Sequence, residues 1–329
     1  MLAAEGEWLR AASGASGSYD DFDAGDDPYP FDRDQCLADL HPEPCKCPLS
    51  GAALCERLSE YEPMPELPEV EIFRQVADSC LGRTINHASV ADSGILEGIP
   101  AQDLERRLKG QSLRSSRRHG KHLFLELSRA GTLAMHFGMN GSLKLVSEGE
   151  PDLSYARLQL YFEKGDRLVY VNPRRLGRVS LAENAEAFIA ETDLGPDVLD
   201  AAFNSHAFAA ILASSKRDIK SVLMDQALMA GIGNIYSDEI LFQARVFPGT
   251  AANQLKGERA TELFRAMRKT LQSAINSGAG SEQGVERLPK GFLLTQRHPG
   301  GLCPRCGALL ETVKHGGRTT YYCHRCQPK

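Results

Sequence analysis

The feature that most constrains the fold is a set of four cysteines at the C-terminal end of the chain. Cys303 and Cys306 form one C-x2-C pair, and after sixteen intervening residues Cys323 and Cys326 form a second pair. This spacing is typical of a zinc ribbon, in which four thiolates surround one tetrahedral Zn²⁺, and it disfavours four unrelated buried thiols. Four protein ligands leave no coordination position open for a substrate. We therefore predict one structural zinc ion.

The stretch between the two cysteine pairs, "KHGGRTTYYC", predicts a hairpin. Gly316 and Gly317 are suited to a tight turn, which places Arg318 at or near its tip. An arginine there is most often a solvated surface charge. The alternative is that the ribbon presents Arg318 to a ligand.

Charge divides the chain into two unlike parts. The chain has 329 residues and a net charge of -5, but residues 1–63 alone carry 14 acidic and four basic side chains. The remaining residues have a net charge of +5, and a basic body favours a polyanionic partner. Residues 1–63 are rich in Gly, Ser, Asp and Pro and show no sustained periodicity. We predict that this acidic segment is disordered.

The remaining cysteines and the apolar runs bear on the cellular compartment. No run approaches the about 18 apolar residues of a membrane span, and no secretory signal is visible, so we expect a cytoplasmic protein. Its cysteines are then expected to be thiols or metal ligands rather than disulfides. Four cysteines in the acidic segment offer a second metal site in principle, but their spacing fits no familiar zinc pattern: Cys36, Cys45, Cys47 and Cys55.

An orderly pattern begins at Met64. The run "PEVEIFRQVADSCLG" predicts a helix with Pro68 in its first turn, Glu69 and Glu71 at its positive end, and Gly82 after its end. Pro65 and Glu66 are thus held directly before a packed helix. If Met64 is the first residue and is removed, Pro65 becomes a free secondary amine, which is a nucleophile.

Strand and helix patterns follow in two blocks. Residues 84–182 contain short β-prone runs bounded by turn residues and predict an antiparallel sandwich or barrel. The runs are "KHLFLEL", "GTLAMHF", "GSLKLV", "ARLQLYF", "DRLVYV" and "GRVSLA". A hinge is predicted at 194–200, and helical runs follow it: "AAFNSHAFAAILASS", "DIKSVLMDQALM", "NIYSDEILFQARV" and "GERATELFRAMRKTLQSAINSG".

The run "DIKSVLMDQALMAGIGNIYSDEILF" predicts a helix, a turn at Gly231 and Gly233, and a second helix capped by Asn234. Such a turn directs free backbone N–H groups at one spot, which attracts a phosphate. A well-capped helical hairpin without a ligand is an equally good interpretation.

A basic cluster precedes one predicted strand. In "RSSRRHGKHLFLEL", Arg114, Arg117, Arg118, Lys121 and His122 lie close together in sequence. Such a run is most often a solvated edge that prevents aggregation. In a basic body it is equally suited to flanking DNA phosphates.

Together these features resemble the formamidopyrimidine-DNA glycosylase family, which shares a superfamily with endonuclease VIII. The resemblance covers residues 64–329 and rests on "MPELPEVE", "GKHLFLEL", "HFGMNGSL", "NPRRLG", "GIGNIYSDEILF", "GRTTYYCHRC" and the four cysteines. It implies an α+β multidomain fold: an N-terminal helix plus antiparallel β-sandwich, then a helix-two-turn-helix domain with a C-terminal zinc ribbon. We expect boundaries at 1–63, 64–195, 196–290 and 291–329.

The resemblance also implies a chemistry. It implies a glycosylase and abasic-site lyase that excises oxidised purines such as 8-oxoguanine and formamidopyrimidines after flipping the nucleotide. Pro65 would attack C1′ and form an iminium intermediate. Glu66 would act as an acid in opening the sugar ring, Lys121 would assist proton transfer in β-elimination, and Arg318 would assist the second (δ) elimination. The alternative lesion class is oxidised pyrimidines, as for endonuclease VIII, although "ELPEVE" favours the formamidopyrimidine branch.

DNA contacts follow from the same resemblance. Met139 would fill the space that the flipped nucleotide leaves, and Arg174 would face the opposite base. Leu176 stands where the family often has a phenylalanine. Phosphate contacts are implied for Lys216, Lys220 and Asn234, and Tyr155 aligns near a DNA-contacting histidine. The expected partner is double-stranded DNA with oxidised or abasic sites, bound by a monomer.

The bond between Met64 and Pro65 raises a difficulty for this chemistry, because an amide nitrogen is not a nucleophile. One interpretation is that Met64 is the real start and residues 1–63 are a mis-assigned extension; we favour it. A second is that the extension is cleaved. A third is a noncatalytic protein that binds damaged DNA with Pro65 blocked.

Overall fold

The structure is a computed structural model that describes residues 64–129, 131–163, 165–278 and 285–329. The predictions for residues 1–63, including disorder and the four cysteines there, lie outside the described residues.

The first helix, α1, spans Leu67–Asp78. The backbone N–H of Glu66 donates to Oε2 of Glu69 at 2.9 Å, which is one half of a capping box. Pro68 lies in the first turn as predicted, where its missing N–H costs nothing. Val70 and Ala77 face inward and are fully buried. The helix predicted from the sequence is therefore present, and it ends at Asp78.

Strands fill most of the next hundred residues, as predicted. Their bounds are β1 Ile85–Val90, β2 Leu96–Glu97, β3 Leu113–His119, β4 His122–Leu127, β5 Thr132–His136, β6 Ser142–Val146, β7 Ala156–Phe162, β8 Arg167–Val171 and β9 Arg178–Ala182. One helix, α2, at Ala101–Leu108, interrupts them and was not predicted. Its Leu104 and Leu108 lie one turn apart and are both fully buried.

The strands form two sheets. One has the order β1-β7-β8-β6 and is antiparallel throughout. The other has the order β2-β9-β5-β4-β3, in which only the short β2–β9 pair is parallel. A shared core of buried side chains contains residues of both sheets together with α1 and α2. The predicted antiparallel sandwich is confirmed, with one parallel edge pair.

The C-terminal half is helical and ends in a hairpin. The elements are α3 Ala185–Glu191, α4 Ser205–Ala213, α5 Ile219–Leu223, α6 Asn234–Gln243, α7 Glu258–Asn276, β10 Glu311–His315 and β11 Arg318–Tyr322. Each predicted helical run contains one of the helices α4 to α7, although each helix is shorter than its run. Among the described helices, none has the length and apolarity that crossing a bilayer requires.

The sandwich core predicts a contrast between two strand leucines. Leu125 on β4 is fully buried, whereas Leu145 on β6 is 37% exposed. Leu125→Ala should lower the free energy of unfolding by about 2–5 kcal/mol, because it removes contacts and leaves a cavity. Leu145→Ala should change it by about 0.5 kcal/mol. Urea denaturation of both variants tests this, and equal losses would contradict the assignment of the core.

Candidate active site

The carboxylate of Glu66 lies at the N-terminus of α6. Its Oε2 accepts hydrogen bonds from the backbone N–H groups of Gly233 at 2.6 Å and Tyr236 at 3.2 Å. Its Oε1 accepts from the N–H of Ile235 at 2.8 Å. Glu66 is 1% exposed. The positive end of the helix dipole and three donors therefore stabilise a buried negative charge.

This arrangement bears on both interpretations of the two-glycine turn and corrects the predicted cap. The N–H groups at the start of α6 donate to Glu66 of the same chain, which favours the hairpin without a ligand over the phosphate site. Asn234 does not cap α6, because Gly233 holds the cap position and Asn234 is the first helical residue. Its side-chain Oδ1 is buried and has no hydrogen-bond partner among the described residues.

The amine of Lys121 lies beside this carboxylate. Lys121 is in the turn between β3 and β4 and is 9% exposed. A Cβ added to Gly233 would lie 2.4 Å from Glu66 Oε1 and 2.6 Å from Lys121 Nζ, so both groups border the same glycine. Burial lowers the pKa of Lys121 below its ordinary value; the charge of Glu66 opposes this shift, and that of Arg318 adds to it.

Arg318 reaches the site from the C-terminal hairpin. Strands β10 and β11 pair antiparallel, with His315 opposite Arg318. The two residues between them, Gly316 and Gly317, have φ of 55° and 75°, which glycine adopts without strain. Arg318 is exposed at the start of β11, as predicted, and its charge acts on Lys121. The structure therefore brings Pro65, Glu66, Lys121 and Arg318 to one region.

A buried carboxylate, Asp238 on α6, holds this hairpin in place. Its Oδ2 accepts from Arg297 Nε at 2.9 Å and from the backbone N–H of Tyr321 at 3.0 Å. Its Oδ1 accepts from Lys220 Nζ at 2.6 Å. Arg297 also donates to the carbonyl of Thr319 at 3.1 Å. These contacts tie β11 to α5 and α6, so they fix the position of the strand that carries Arg318.

The position of Lys220 corrects its predicted role as a phosphate contact. Its side chain is fully buried and forms an ion pair with Asp238, which is also fully buried. The amine compensates a charge inside the protein and is not available at the surface. Neither Asp238 nor Arg297 was predicted as a site residue from the sequence. The signal for Asp238 is a pair of adjacent carboxylates, with Glu239, directly before the apolar run at 240–242.

The four predicted zinc ligands converge. Cys303 Sγ and Cys326 Sγ are 3.8 Å apart, Cys306 Sγ and Cys323 Sγ are 3.5 Å apart, and all four sulfurs lie within 4.8 Å of one another. Zn–S bonds of about 2.3 Å in a tetrahedron require sulfur separations of about 3.8 Å. Four thiolates at these distances fit one structural Zn²⁺, as predicted.

Two loops next to the sandwich carry the residues predicted to enter DNA. Asn172 Nδ2 donates to the carbonyl of Phe137 at 2.8 Å, which joins the loops 137–141 and 172–177. A Cβ on Gly138 would lie 2.3 Å from the carbonyl carbon of Leu176, so only glycine allows this approach. Met139 is half-buried, whereas Arg174 is exposed and Leu176 is 47% exposed. The three side chains are therefore on adjoining loops.

The remaining predicted contacts are more dispersed. Lys216 is exposed in the segment before α5. Tyr155 has φ of 59° and packs beside buried valines of β6 and β8, and the guanidinium of Arg157 lies 5.6 Å from its ring centroid. In the basic cluster, Arg117 pairs with Glu186 at the surface, but the side chain of Arg118 is only 8% exposed. Arg118 is therefore neither a solvated edge nor a phosphate contact.

The fold and the site together define a class of protein. A β-sandwich is followed by two helices joined through glycine turns and by a zinc ribbon, which is the arrangement of helix-two-turn-helix proteins with a zinc finger. Three family descriptions match in the same order. They are "Formamidopyrimidine-DNA glycosylase N-terminal domain" at residues 64–179, "Formamidopyrimidine-DNA glycosylase H2TH domain" at 194–285, and "Zinc finger found in FPG and IleRS" at 300–329.

Similar sequences agree with these matches. The formamidopyrimidine-DNA glycosylase of Carboxydothermus hydrogenoformans is 35% identical over 276 residues, which cover 80% of this chain and 100% of the relative. That of Shewanella loihica is 33% identical over 276 residues, which cover 81% of this chain and 100% of the relative. The chain therefore belongs to the formamidopyrimidine-DNA glycosylase family.

Solved structures agree as well. Lactococcus lactis formamidopyrimidine-DNA glycosylase non-covalently bound to DNA containing an AP site has a TM-score of 0.72 and 28% identity, and covers 80% of this chain and 100% of its own. The same enzyme with DNA containing Fapy-dG also has a TM-score of 0.72, with 28% identity and the same coverage. The architecture of this chain is thus that of a known DNA-bound fold.

The ribbon predicts one zinc ion per chain by elemental analysis. Cys323→Ser should abolish stoichiometric zinc, because a hydroxyl does not replace a thiolate ligand. Zinc should also leave on acidification, since the ligands must be deprotonated. Cys80→Ser is the matched control, because Cys80 is buried in the sandwich and should not affect zinc content. Zinc retention in the Cys323→Ser protein would contradict the assignment.

The ionic cluster predicts a large loss of stability for Asp238→Ala. The substitution leaves Lys220 and Arg297 buried without their carboxylate, and should lower the free energy of unfolding by about 3–5 kcal/mol. The control, Asp225→Ala, removes an ion pair between Arg217 and Asp225 in which the side chains are 50% and 28% exposed. It should cost about 1 kcal/mol or less. Denaturant unfolding of the two variants tests this prediction. Similar losses in the free energy of unfolding would contradict it.

Proposed function

We propose that this chain is a DNA glycosylase and abasic-site lyase of base excision repair, that it excises oxidised purines, and that it cleaves the strand by β,δ-elimination. The observation that carries the proposal is the position of Glu66 and Lys121. A carboxylate and an amine of lowered pKa border the same glycine, directly beside Pro65. These are the groups that amine-based covalent catalysis on deoxyribose requires.

The first step needs a free amine at Pro65. While the Met64–Pro65 bond is intact, the proline nitrogen is an amide, so we propose that the active form begins at Pro65. Its lone pair then forms a bond to C1′ as the bond from C1′ to the damaged base breaks, and the base leaves with the bonding electron pair and takes a proton from water. Glu66 takes the proton released by the amine and delivers it to the ring oxygen. The sugar ring opens, and an iminium between Pro65 and C1′ remains.

The next steps use the two basic groups. Burial favours the neutral form of Lys121, which suits it to accept a proton from C2′ during β-elimination of the 3′ phosphate. Arg318 is exposed at the tip of the zinc hairpin and suits the second phosphate, which leaves during δ-elimination. In this proposal the zinc only maintains the hairpin, because its four ligands are all protein thiolates.

Other residues are proposed to contact the DNA. Met139 fills the gap left by the flipped nucleotide, Arg174 faces the opposite base, and Leu176 flanks them with an exposed apolar side chain. Lys216 and Asn234 contact phosphates. Asn234 does so through the N–H donors of its Nδ2 group, because its Oδ1 can only accept a hydrogen bond. Tyr155 is proposed to contact the duplex, whereas Lys220 is not.

We propose that the protein acts as a monomer on chromosomal DNA in the cytoplasm. The functional parts are proposed to be 64–195, 196–290 and 291–329, with catalysis in the first and an arginine supplied by the last. Oxidised pyrimidines are the alternative substrates, as for endonuclease VIII. A noncatalytic protein that binds damaged DNA is the alternative if Pro65 stays blocked.

Covalent trapping tests the mechanism. Protein whose intact mass places its terminus at Pro65 should be captured on duplex containing 8-oxoguanine when borohydride reduces the iminium. Protein that retains Met64 should bind the same duplex without capture. Glu66→Gln should reduce base excision by about 100-fold or more, since general acid–base catalysis contributes about 10²–10⁴-fold.

Two controls make the trapping result decisive. Asp200→Asn, an exposed substitution, should trap as the unmodified protein does. Duplexes with oxidised pyrimidines should react more slowly than those with 8-oxoguanine. No capture by protein with a verified Pro65 terminus would refute the lyase mechanism, and a faster reaction on oxidised pyrimidines would favour the alternative.

A further inference from the structure

A chain of buried charges links three segments that meet at the candidate active site. Arg118, in β3, donates from Nε to Glu71 Oε2 of α1 at 3.0 Å. The same guanidinium pairs with both carboxylate oxygens of Asp197, with Nη2 to Oδ1 at 3.2 Å and Nη1 close to Oδ2. The side chains of Arg118 and Asp197 are only 8% and 5% exposed. Dissolved salt screens the attraction between two charges this well buried only weakly.

Asp197 also accepts hydrogen bonds from two backbone N–H groups, one in the turn and one in the linker. Its Oδ2 accepts from the N–H of Gly120 at 2.7 Å, and its Oδ1 accepts from the N–H of Leu199 at 2.8 Å. Gly120 directly precedes Lys121 in the turn between β3 and β4. One carboxylate therefore joins the linker at 197–199 to the turn that carries the amine of the candidate site.

The turn packs closely against the segment that precedes α6. A Cβ on Gly120 would lie 2.7 Å from the Cβ of Ala230. Ala230 in turn donates its N–H to the carbonyl of Pro196 at 2.9 Å, and the next residue, Gly231, accepts from Leu67 N–H at 3.1 Å. Contacts through Ala230 and Gly231 thus connect the linker, the turn and the start of α1.

We propose that Asp197 is a positioning residue for the elimination step: through Arg118 and the N–H of Gly120, it holds the turn so that the amine of Lys121 stays beside Gly233, which Glu66 also borders. This inference rests on the proposed function, because it presumes that Lys121 moves a proton during strand cleavage. Asp197 touches neither DNA nor the reacting atoms in this scheme. It acts by fixing where the amine sits.

An amide at this position cannot replace the carboxylate. Asp197 accepts hydrogen bonds from Arg118, Gly120 and Leu199, and both of its oxygens are used. In Asp197→Asn the Nδ2 group is a donor, so it faces either a guanidinium or an N–H group, and neither can accept. The turn at Gly120 is then released, and Lys121 loses its fixed distance from Glu66.

Steady-state kinetics on a duplex with a preformed abasic site test the proposal. For Asp197→Asn, kcat for strand cleavage should fall about 10- to 100-fold, as small displacements of catalytic groups do. KM and the amount of protein trapped by borohydride per folded molecule should stay within about twofold, because binding and iminium formation do not need Lys121. A merely structural role would lower trapping and cleavage in the same proportion.

Three variants complete the experiment. Asp197→Glu should restore part of kcat, since it returns a carboxylate. Arg118→Lys keeps a positive charge but cannot bridge Glu71 and Asp197, and should show the same split between kcat and trapping. Asp200→Asn, at an exposed carboxylate three residues away, should behave as the unmodified protein.

The outcomes separate this inference from the mechanism it builds on. Unchanged kcat in both Asp197→Asn and Arg118→Lys, or trapping that falls in parallel with kcat, would overturn the positioning role. If Asp197→Asn does not fold, Arg118→Lys decides the question alone. If the unmodified protein with a Pro65 terminus neither traps nor cleaves, the proposed function fails and this inference fails with it.

Discussion

The structure depends on the contact between the Glu66 carboxylate and the N-terminus of α6. A charge that is 1% exposed is tolerated only because three backbone N–H groups donate to it. Those groups belong to the helical domain, while Glu66 belongs to the segment that enters the sandwich through α1. The contact therefore fixes Pro65 relative to both halves of the protein. It also places a negative charge where the amine of Lys121 can be buried beside it.

The same principle recurs at two other points: Asp197 acts between the two halves, and Asp238 acts between the helices and the zinc hairpin. Asp197 and Asp238 are both buried, and each accepts several hydrogen bonds from charged side chains and backbone N–H groups. Asp197 holds the turn of Lys121, and Asp238 holds the strand of Arg318. The zinc hairpin is too small to have a large core of its own, so thiolate–metal bonds and Asp238 replace one. Reactive groups from distant parts of the sequence thereby acquire fixed positions.

Local patterns accounted for most elements, and their failures have clear physical causes. The strands of the sandwich and the helix after Pro65 were predictable because alternation, turns and caps act over a few residues. Helix α2 was missed because it is short and lies among strands. Asn234 was wrongly expected to cap α6, because the carboxylate that takes this place lies 168 residues earlier in the chain. Lys220 and Arg118 looked like surface cations, and nothing local reveals their buried partners.

The sequence by itself determined the elements, the zinc ligands and the family, because each depends on residues near one another in the chain or on motifs in a fixed order. The cysteine spacing alone predicted the metal site, and "ELPEVE" with "GIGNIYSDEILF" helped to identify the family. Only the tertiary structure decided which charges are buried and what compensates them. Burial is a property of packing between distant segments, and it changes the energy of a charge more than any local neighbour does.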